Sequence, residues 1–149
     1  MRGLGWGLLL ALLTAAPFSA QAADRFAYQF KETPEEGPID PAVQKHYTAA
    51  WTACQARGVT TLDYEACFEA EFARQDAKLN RVWKATLGRL PADVHGPLVE
   101  AQRKWIAARN PFCTKVSDGF KGGTIEPIVY EDCRVEQTIR RTMWLEALR

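Results

Sequence analysis

The sequence lacks the features of several protein classes. Glycine and proline are sparse, at 10 and 8 of 149 residues, which excludes a collagenous or low-complexity chain. No residue pattern typical of a nucleotide site, a metal site or a covalent catalytic centre stands out. We therefore predict no catalytic residue, no metal ligand and no cofactor. With 47% hydrophobic and 25% charged residues, the composition is that of one ordinary globular domain.

The sequence also has little net charge, which is formally +1 at pH 7. A nucleic-acid-binding protein needs a clear basic excess, so we expect no nucleic-acid partner. The charge is nevertheless uneven, because residues 24–76 hold 10 acidic and 5 basic side chains, whereas residues 77–149 hold 8 acidic and 13 basic ones. Either the two halves attract each other within the fold, or an acidic surface meets a basic partner.

No hydrophobic run is long enough to cross a bilayer, which takes roughly 20 residues. The apolar stretch at residues 8–16 is shorter, follows the positive Arg2 and precedes an A-x-A pattern at residues 20–22. This arrangement predicts a secretory signal peptide over residues 1–22, cleaved near Ala22. The mature protein would then be periplasmic or secreted. Because no cysteine lies near the cleavage site, we expect no membrane anchor.

The cysteines, Cys54, Cys67, Cys113 and Cys133, all lie in the exported part. In an oxidising compartment, an even number of cysteines predicts disulfides. Neither the spacing of Cys54 and Cys67 nor that of Cys113 and Cys133 resembles the C-x-x-C of a metal or redox site. Three pairings are possible. Pairing of nearest neighbours has the best physical case, because each bridge would close one helix hairpin and contribute ~3 kcal/mol.

Hydrophobic periodicity predicts an all-α fold. Residues 23–39 show no periodicity and are expected to form a flexible N-terminal segment. A helical domain follows over residues 40–149, with an N-cap at Asp40 and a possible helix end at Gly58. The second helix should start at Thr60 or Thr61 and stop near Arg89. A third should begin around Pro97 and end or kink at Pro111, and a last should span residues 127–148. Short links favour a small antiparallel bundle of about four helices, closed by two disulfides.

Several polar residues lie on or near the apolar stripes of these helices. Asp76 falls between Phe72 and Leu79 at helical spacing, with Asn80 one turn further on. A buried carboxylate must be paired, so we predict an internal hydrogen-bonded network. Its members are Asp76, Asn80, Gln102, Arg109 and Arg141. The weaker alternative gives Asp76 a raised pKa and a role in acid/base chemistry.

Four motifs in order give the chain a family resemblance. They are D-x-x-L-N-x-x-W from Asp76, A-Q-R-x-W-x-x-x-R-x-x-x-C from Ala101, G-G-T-I from Gly122, and Cys133 followed by Thr138, Arg141 and Leu145. Over roughly residues 54–148 the chain resembles the lysozyme inhibitor LprI-like domain, a small exported bacterial family. The resemblance implies a helical domain with two disulfides, no known catalysis and a lysozyme as protein partner. Asn110 and Pro111 depart from the family pattern, so that helix end is expected to differ.

An inhibitor of a cleft enzyme needs a rigid, protruding loop. The predicted loop over residues 114–126 fits, and its candidate partner-binding residues are Lys115, Lys121, Gly122 and Gly123. The Cys113–Cys133 bridge would fix its base, and a lysine would meet the two cleft carboxylates. Alternatively the loop is a plain connection whose glycines satisfy turn geometry. The chain would then be a periplasmic structural or accessory module with a different protein partner.

Overall fold

The computed structural model describes residues 31–36 and 40–149. The predicted signal peptide, residues 1–22, lies outside them, as do residues 23–30 and 37–39 of the predicted flexible segment. The described part contains five α-helices and no strand, which confirms the all-α prediction. The helices are α1 Pro41–Gln44, α2 Ala49–Gln55, α3 Thr61–Arg89, α4 His95–Ser117 and α5 Glu126–Ala147. None of these helices combines the length and the apolar character needed to cross a membrane.

The prediction of one helix from Asp40 to Gly58 is wrong, because the helix is interrupted between α1 and α2. Asp40 caps α1 as expected, with its carboxylate accepting from the backbone N–H of Ala42. The break has its cause at Thr48, whose backbone N–H donates to the carboxylate of Glu71 on α3 and leaves the local helix. The Thr48 hydroxyl then accepts from the backbone N–H of Trp51 and caps α2.

Helix α3 begins where the sequence predicts. The Thr60 hydroxyl accepts from the Asp63 backbone N–H, and the Asp63 carboxylate accepts from the Thr60 backbone N–H, which completes a capping box. The helix runs to Arg89 and ends at Leu90, before Pro91. Its 29 residues make it the longest element of the described chain.

Of the two outcomes predicted at Pro111, an end of the helix is wrong, because α4 continues to Ser117. An interior proline costs a helix about 3 kcal/mol, so other contacts must hold the helix together. Arg109, Cys113 and Ser117 are buried at four-residue spacing on one face, whereas Pro111 itself is exposed. The packing of buried residues on both sides of Pro111 therefore stabilises the helix by more than the proline destabilises it.

Helices α3 and α5 pack side by side and run parallel, with α4 antiparallel to both. The parallel direction of α3 and α5 follows from two contacts, because Phe72 lies against Arg134 and Thr86 lies against Leu145 further along both helices. Helix α4 is antiparallel to α5, because Arg109 contacts Thr138 whereas the earlier Gln102 contacts the later Arg141. The buried hydrophobic residues of the described chain form two clusters. One contains Leu79, Leu98, Trp105 and Leu145, and the other contains Val43, Phe68, Val135 and Ile139.

Both disulfides join nearest neighbours, Cys54 to Cys67 and Cys113 to Cys133. This confirms the favoured pairing. Each bridge closes one inter-helix turn, and both turns lie at the end of the bundle where the parallel helices α3 and α5 begin. We call this end, residues 56–62 and 115–126, the disulfide end.

Candidate functional site

The α4–α5 turn is compact and held by its own hydrogen bonds. A 3-10 turn covers residues 118–120, and the backbone N–H of Gly123 donates to the Phe120 carbonyl at 2.9 Å. The backbone N–H of Gly122 donates to Glu126 Oε2 at 2.6 Å. Gly122 has φ +77°, a conformation that other residues rarely adopt, so glycine is required there. The turn therefore presents the exposed side chain of Lys121 on a fixed backbone.

The predicted loop over residues 114–126 is shorter than expected, and Lys115 does not belong to it. Lys115 lies in the last turn of α4. There it lines a hollow of about 230 Å³ together with Glu35, Glu36 and Glu136. Of the candidate partner-binding residues, only Lys121, Gly122 and Gly123 lie in the turn.

Asp76 and Asn80 are less buried than the predicted internal network requires. Asp76 is 40% exposed, and Asn80 is exposed. The core-facing positions of α3 are instead Glu71, Gln75 and Leu79, at four-residue spacing, so residues 76 and 80 lie about 100° further round the helix. The placement of Phe72 at the edge of the buried face explains the error, since counting from Phe72 shifts the stripe by one residue.

The members of the predicted network form two hydrogen-bonded groups, and one arginine of each group lies over the Trp105 ring. In the first, Arg109 lies 3.5 Å from Asp76 and 3.3 Å from the Thr138 hydroxyl, and Asn80 bonds the other oxygen of Asp76. Burial lowers the pKa of Arg109, although Asp76 opposes that shift. In the second, Arg141 donates to Gln102 Oε1 at 2.7 Å.

Arg141 is the most strongly perturbed cation of the two groups. It is 2% exposed, and its guanidinium lies 4.1 Å from the Trp144 ring and 5.3 Å from the Trp105 ring. Burial lowers the pKa of Arg141 to about 10. Arg109 reaches the same Trp105 ring at 5.4 Å, so two cations share one indole.

Glu71 is a fully buried carboxylate that the sequence analysis missed. It is 0% exposed and accepts from the Thr48 backbone and hydroxyl, from Gln75 Nε2 and from Arg74 Nε. Burial raises the pKa of Glu71, but the hydrogen bonds outweigh it and hold that pKa below its usual value. The four-residue spacing from Cys67 through Glu71 and Gln75 to Leu79 is the signal that identifies it.

Residues 31–36 of the N-terminal segment lie against α4 and α5. The amide of Gln137, buried on α5, accepts from the Glu35 backbone N–H and donates to the Glu35 carbonyl, both at 2.9 Å. Lys104 on α4 forms an ion pair with Glu32 at 3.0 Å, and Arg141 donates to the Lys31 carbonyl. These contacts place acidic residues of the segment beside basic residues of the two helices.

A metal site would need several His, Cys, Asp or Glu side chains close together. Across residues 31–36 and 40–149, no three His, Cys, Asp or Glu side chains lie close enough together to hold a metal ion. The arrangement at the disulfide end offers exposed lysine and apolar groups on fixed turns instead. Such groups suit contact with another protein.

The sequence is similar to one protein family and to an uncharacterized bacterial protein. A sequence model of the family described as lysozyme inhibitor LprI matches residues 52–145. An uncharacterized protein of Rhizobium meliloti (strain 1021) is 29% identical over 105 residues, which cover 62% of this chain and 76% of that protein. No solved structure matches the chain.

The family match spans four of the five helices in whole or in part and both disulfides. The family is one of inhibitors rather than enzymes, which gives a lysozyme-inhibitor-like role and a protein partner at the level of the family. Two disulfides together with this family indicate an exported protein. The chain belongs to the lysozyme inhibitor LprI family.

Proposed function

We propose that this protein inhibits a lysozyme by placing its α4–α5 turn in the enzyme's cleft, where Lys121 meets the catalytic carboxylates. The observation that carries the proposal is the exposed Lys121 on a turn with a fixed backbone and a disulfide at its base. We propose further that the protein acts in the periplasm or outside the cell, after cleavage near Ala22.

The chemistry of the target supports this role for a lysine. Lysozymes hydrolyse glycosidic bonds with two carboxyl groups that flank the scissile bond in a cleft. A lysine ammonium that enters this cleft would pair with an ionised carboxylate in a partly desolvated site. Truncating one side of such an interfacial pair typically costs about 2–5 kcal/mol of binding free energy.

The rigidity of the turn supports the geometry. Cys113 and Cys133 tie the last turns of α4 to α5, and Gly122 and Gly123 bond back to Glu126 and Phe120. A loop that is already in its bound shape loses little conformational entropy on binding. The bundle behind it supplies bulk that would block the approach of the polysaccharide substrate.

The test is a lysozyme turnover assay with the purified exported protein, run on c-type and g-type enzymes. We expect the wild type to slow cell-wall hydrolysis at micromolar concentration. Lys121→Ala should weaken inhibition roughly tenfold or more, since each 1.4 kcal/mol corresponds to about a factor of ten. Lys84→Ala is the matched control, because Lys84 is an exposed lysine near the opposite end of α3.

The outcomes separate the two parts of the proposal. If the wild type leaves both enzymes at full rate, the inhibitor function is wrong and the chain is an accessory module with another protein partner. If the wild type inhibits and Lys121→Ala inhibits equally well, the inhibitor function stands and the role of Lys121 is wrong.

A further inference from the structure

The large exposed hydrophobic side chains of the described residues are concentrated at the disulfide end. They are Val59 (85% exposed), Leu62 (74%), Ile106 (50%), Ile125 (47%), Phe120 (46%) and Val116 (43%). Five of the six lie at this end, and only Ile106 lies elsewhere, in the middle of α4. A cluster of exposed apolar groups at one place is typical of a protein-binding surface, whereas single exposed residues are ordinary.

The two most exposed of these residues lie not in the α4–α5 turn but at the turn between α2 and α3. Val59 is in that turn, and Leu62 is in the first turn of α3. Residues 56–62 carry a single charged side chain, Arg57, which is exposed. This turn therefore offers two apolar groups and one cation, a combination similar to that of Phe120 and Lys121 in the α4–α5 turn.

The α2–α3 turn is also fixed in shape. The Cys54–Cys67 bridge closes it, and the Tyr64 hydroxyl donates to the Gly58 carbonyl at 2.9 Å. A Cβ at residue 58 would lie 2.9 Å from the Tyr64 ring, so the tyrosine packs directly on the glycine. The Asp63 carboxylate accepts from Val59 and Thr60 and is occupied within the turn. Its exposed apolar groups are thus held in place before any partner binds.

The topology brings the two turns to the same end of the bundle. Phe72 on α3 and Arg134 on α5 are 3.7 Å apart from ring centroid to guanidinium, and the two helices run parallel. From that contact, α3 extends back about 16 Å to Thr61, and α5 extends back about 12 Å to Glu126. Both turns therefore project beyond the same layer of the core.

We propose that the α2–α3 turn is the second half of the binding surface, and that a lysozyme cleft contacts it together with the α4–α5 turn. This inference rests on the proposed function. Val59 and Leu62 supply apolar contact, and Arg57 supplies a second cation for the carboxylates of the cleft. The exposed cations favour this occupant, because Arg57 lies on one turn and Lys121 on the other, and a cleft with two carboxylates would meet both.

The experiment compares inhibition constants in the turnover assay. In Val59→Ser/Leu62→Ser, both apolar groups are lost from a surface that is already in water, so the fold should be kept. Because an interface would take both apolar side chains out of water, the double variant forfeits their burial, and we expect the inhibition constant to rise tenfold or more. Ile106→Ser is the matched control, since it removes a half-exposed apolar group outside the disulfide end, and its inhibition constant should stay within twofold of the wild type.

Thermal unfolding of each variant, followed by far-UV circular dichroism, and size-exclusion chromatography accompany the assay. A wild type that inhibits, with the double variant folded and at least tenfold weaker, supports the inference. A double variant that inhibits as well as the wild type overturns the inference and leaves the proposed function intact. If the wild type inhibits no lysozyme, the proposed function fails and the inference fails with it. A wild-type dimer that the double variant abolishes assigns the surface to a second copy of the chain and also overturns the inference.

Discussion

Thr48 donates two hydrogen bonds to Glu71, from its backbone nitrogen at 2.9 Å and from its hydroxyl at 2.6 Å. The same hydroxyl accepts from the Trp51 backbone N–H at 3.2 Å, so Thr48 caps α2 and ties it to α3 at once. Gln75 and Arg74 complete the partners of the carboxylate. A single buried glutamate thus fixes where α1 ends, where α2 begins and how both lie on the long helix.

Replacing Glu71 with alanine should lower the free energy of unfolding by about 2–3 kcal/mol. The reason is that the backbone and hydroxyl of Thr48 and the amide of Gln75 would lose a buried acceptor. Chemical denaturation gives the value. Glu69→Ala is the control, because Glu69 is exposed on the same helix and should change stability by less than about 0.5 kcal/mol. Equal losses in the two variants would show that Glu71 is not the anchor described.

Acid should remove the contribution of Glu71. Its pKa is 4.5 in the unfolded chain and lower in the folded protein. A depressed folded pKa adds stability that is fully present above pH 4.5 and is lost as the pH falls through the folded value. Glu71→Gln cannot titrate there, so its deficit in melting temperature against the wild type should be largest at pH 7 and shrink toward pH 3.

The pKa of Asp132 shifts in the opposite direction, but this does not affect the comparison of Glu71→Gln with the wild type. Burial raises the pKa of Asp132. Asp132 is present in both proteins, so its effect cancels in the difference between them. A deficit that stays constant from pH 7 to pH 3 would contradict the ionised, hydrogen-bonded Glu71.

Much of this fold could be predicted from local signals, because several of them agree with the packing. Thr60 with Asp63 marks the start of α3, and cysteines that close hairpins mark their own partners. The failures occurred where a contact distant in sequence decides the local structure. Thr48 ends a helical pattern only because Glu71 lies behind it, and Pro111 stays within a helix because its neighbours on the buried face are packed.

In the candidate site, too, local sequence signals predicted some features, whereas others depend on contacts between residues that are distant in sequence. The glycine-rich turn that carries Lys121 follows from turn chemistry and was predicted. The sequence analysis placed Asp76 on or near the apolar stripe of α3 and did not single out Glu71, because Phe72 lies at the border of the buried face and the spacing counted from it is one residue off. The α2–α3 turn was missed because hydrophobic periodicity cannot show that the apolar side chains of Val59 and Leu62 are exposed.

The exposure of Asp76 limits what its removal should cost. Asp76→Ala should lower the free energy of unfolding by only about 1 kcal/mol, because a 40% exposed partner contributes little and Arg109 keeps its bond to Thr138. Equilibrium urea unfolding measures this. A loss of 3 kcal/mol or more would restore Asp76 as the anchor of a buried network.

Removing the Cys113–Cys133 bridge should affect both stability and inhibition. Cys113→Ser/Cys133→Ser opens a loop with a sequence separation of 20 and should cost ~3 kcal/mol of unfolding free energy. Because this loop contains the α4–α5 turn, the folded double variant should also inhibit a lysozyme more weakly. Cys54→Ser/Cys67→Ser serves for comparison, with a sequence separation of 13 and a similar cost. Loss of the first bridge without any change in inhibition would mean that the turn does not depend on it.

Occlusion of the cleft is tested most directly by competition for the cleft itself. The measurement is the affinity of the wild-type protein for a lysozyme by titration calorimetry, with and without a chitooligosaccharide that fills the enzyme's substrate subsites. Because the α4–α5 turn and the sugar would occupy the same space, the apparent dissociation constant should rise in proportion to the sugar concentration. An affinity that is unchanged when the sugar saturates the cleft, or no binding at all, would contradict the account.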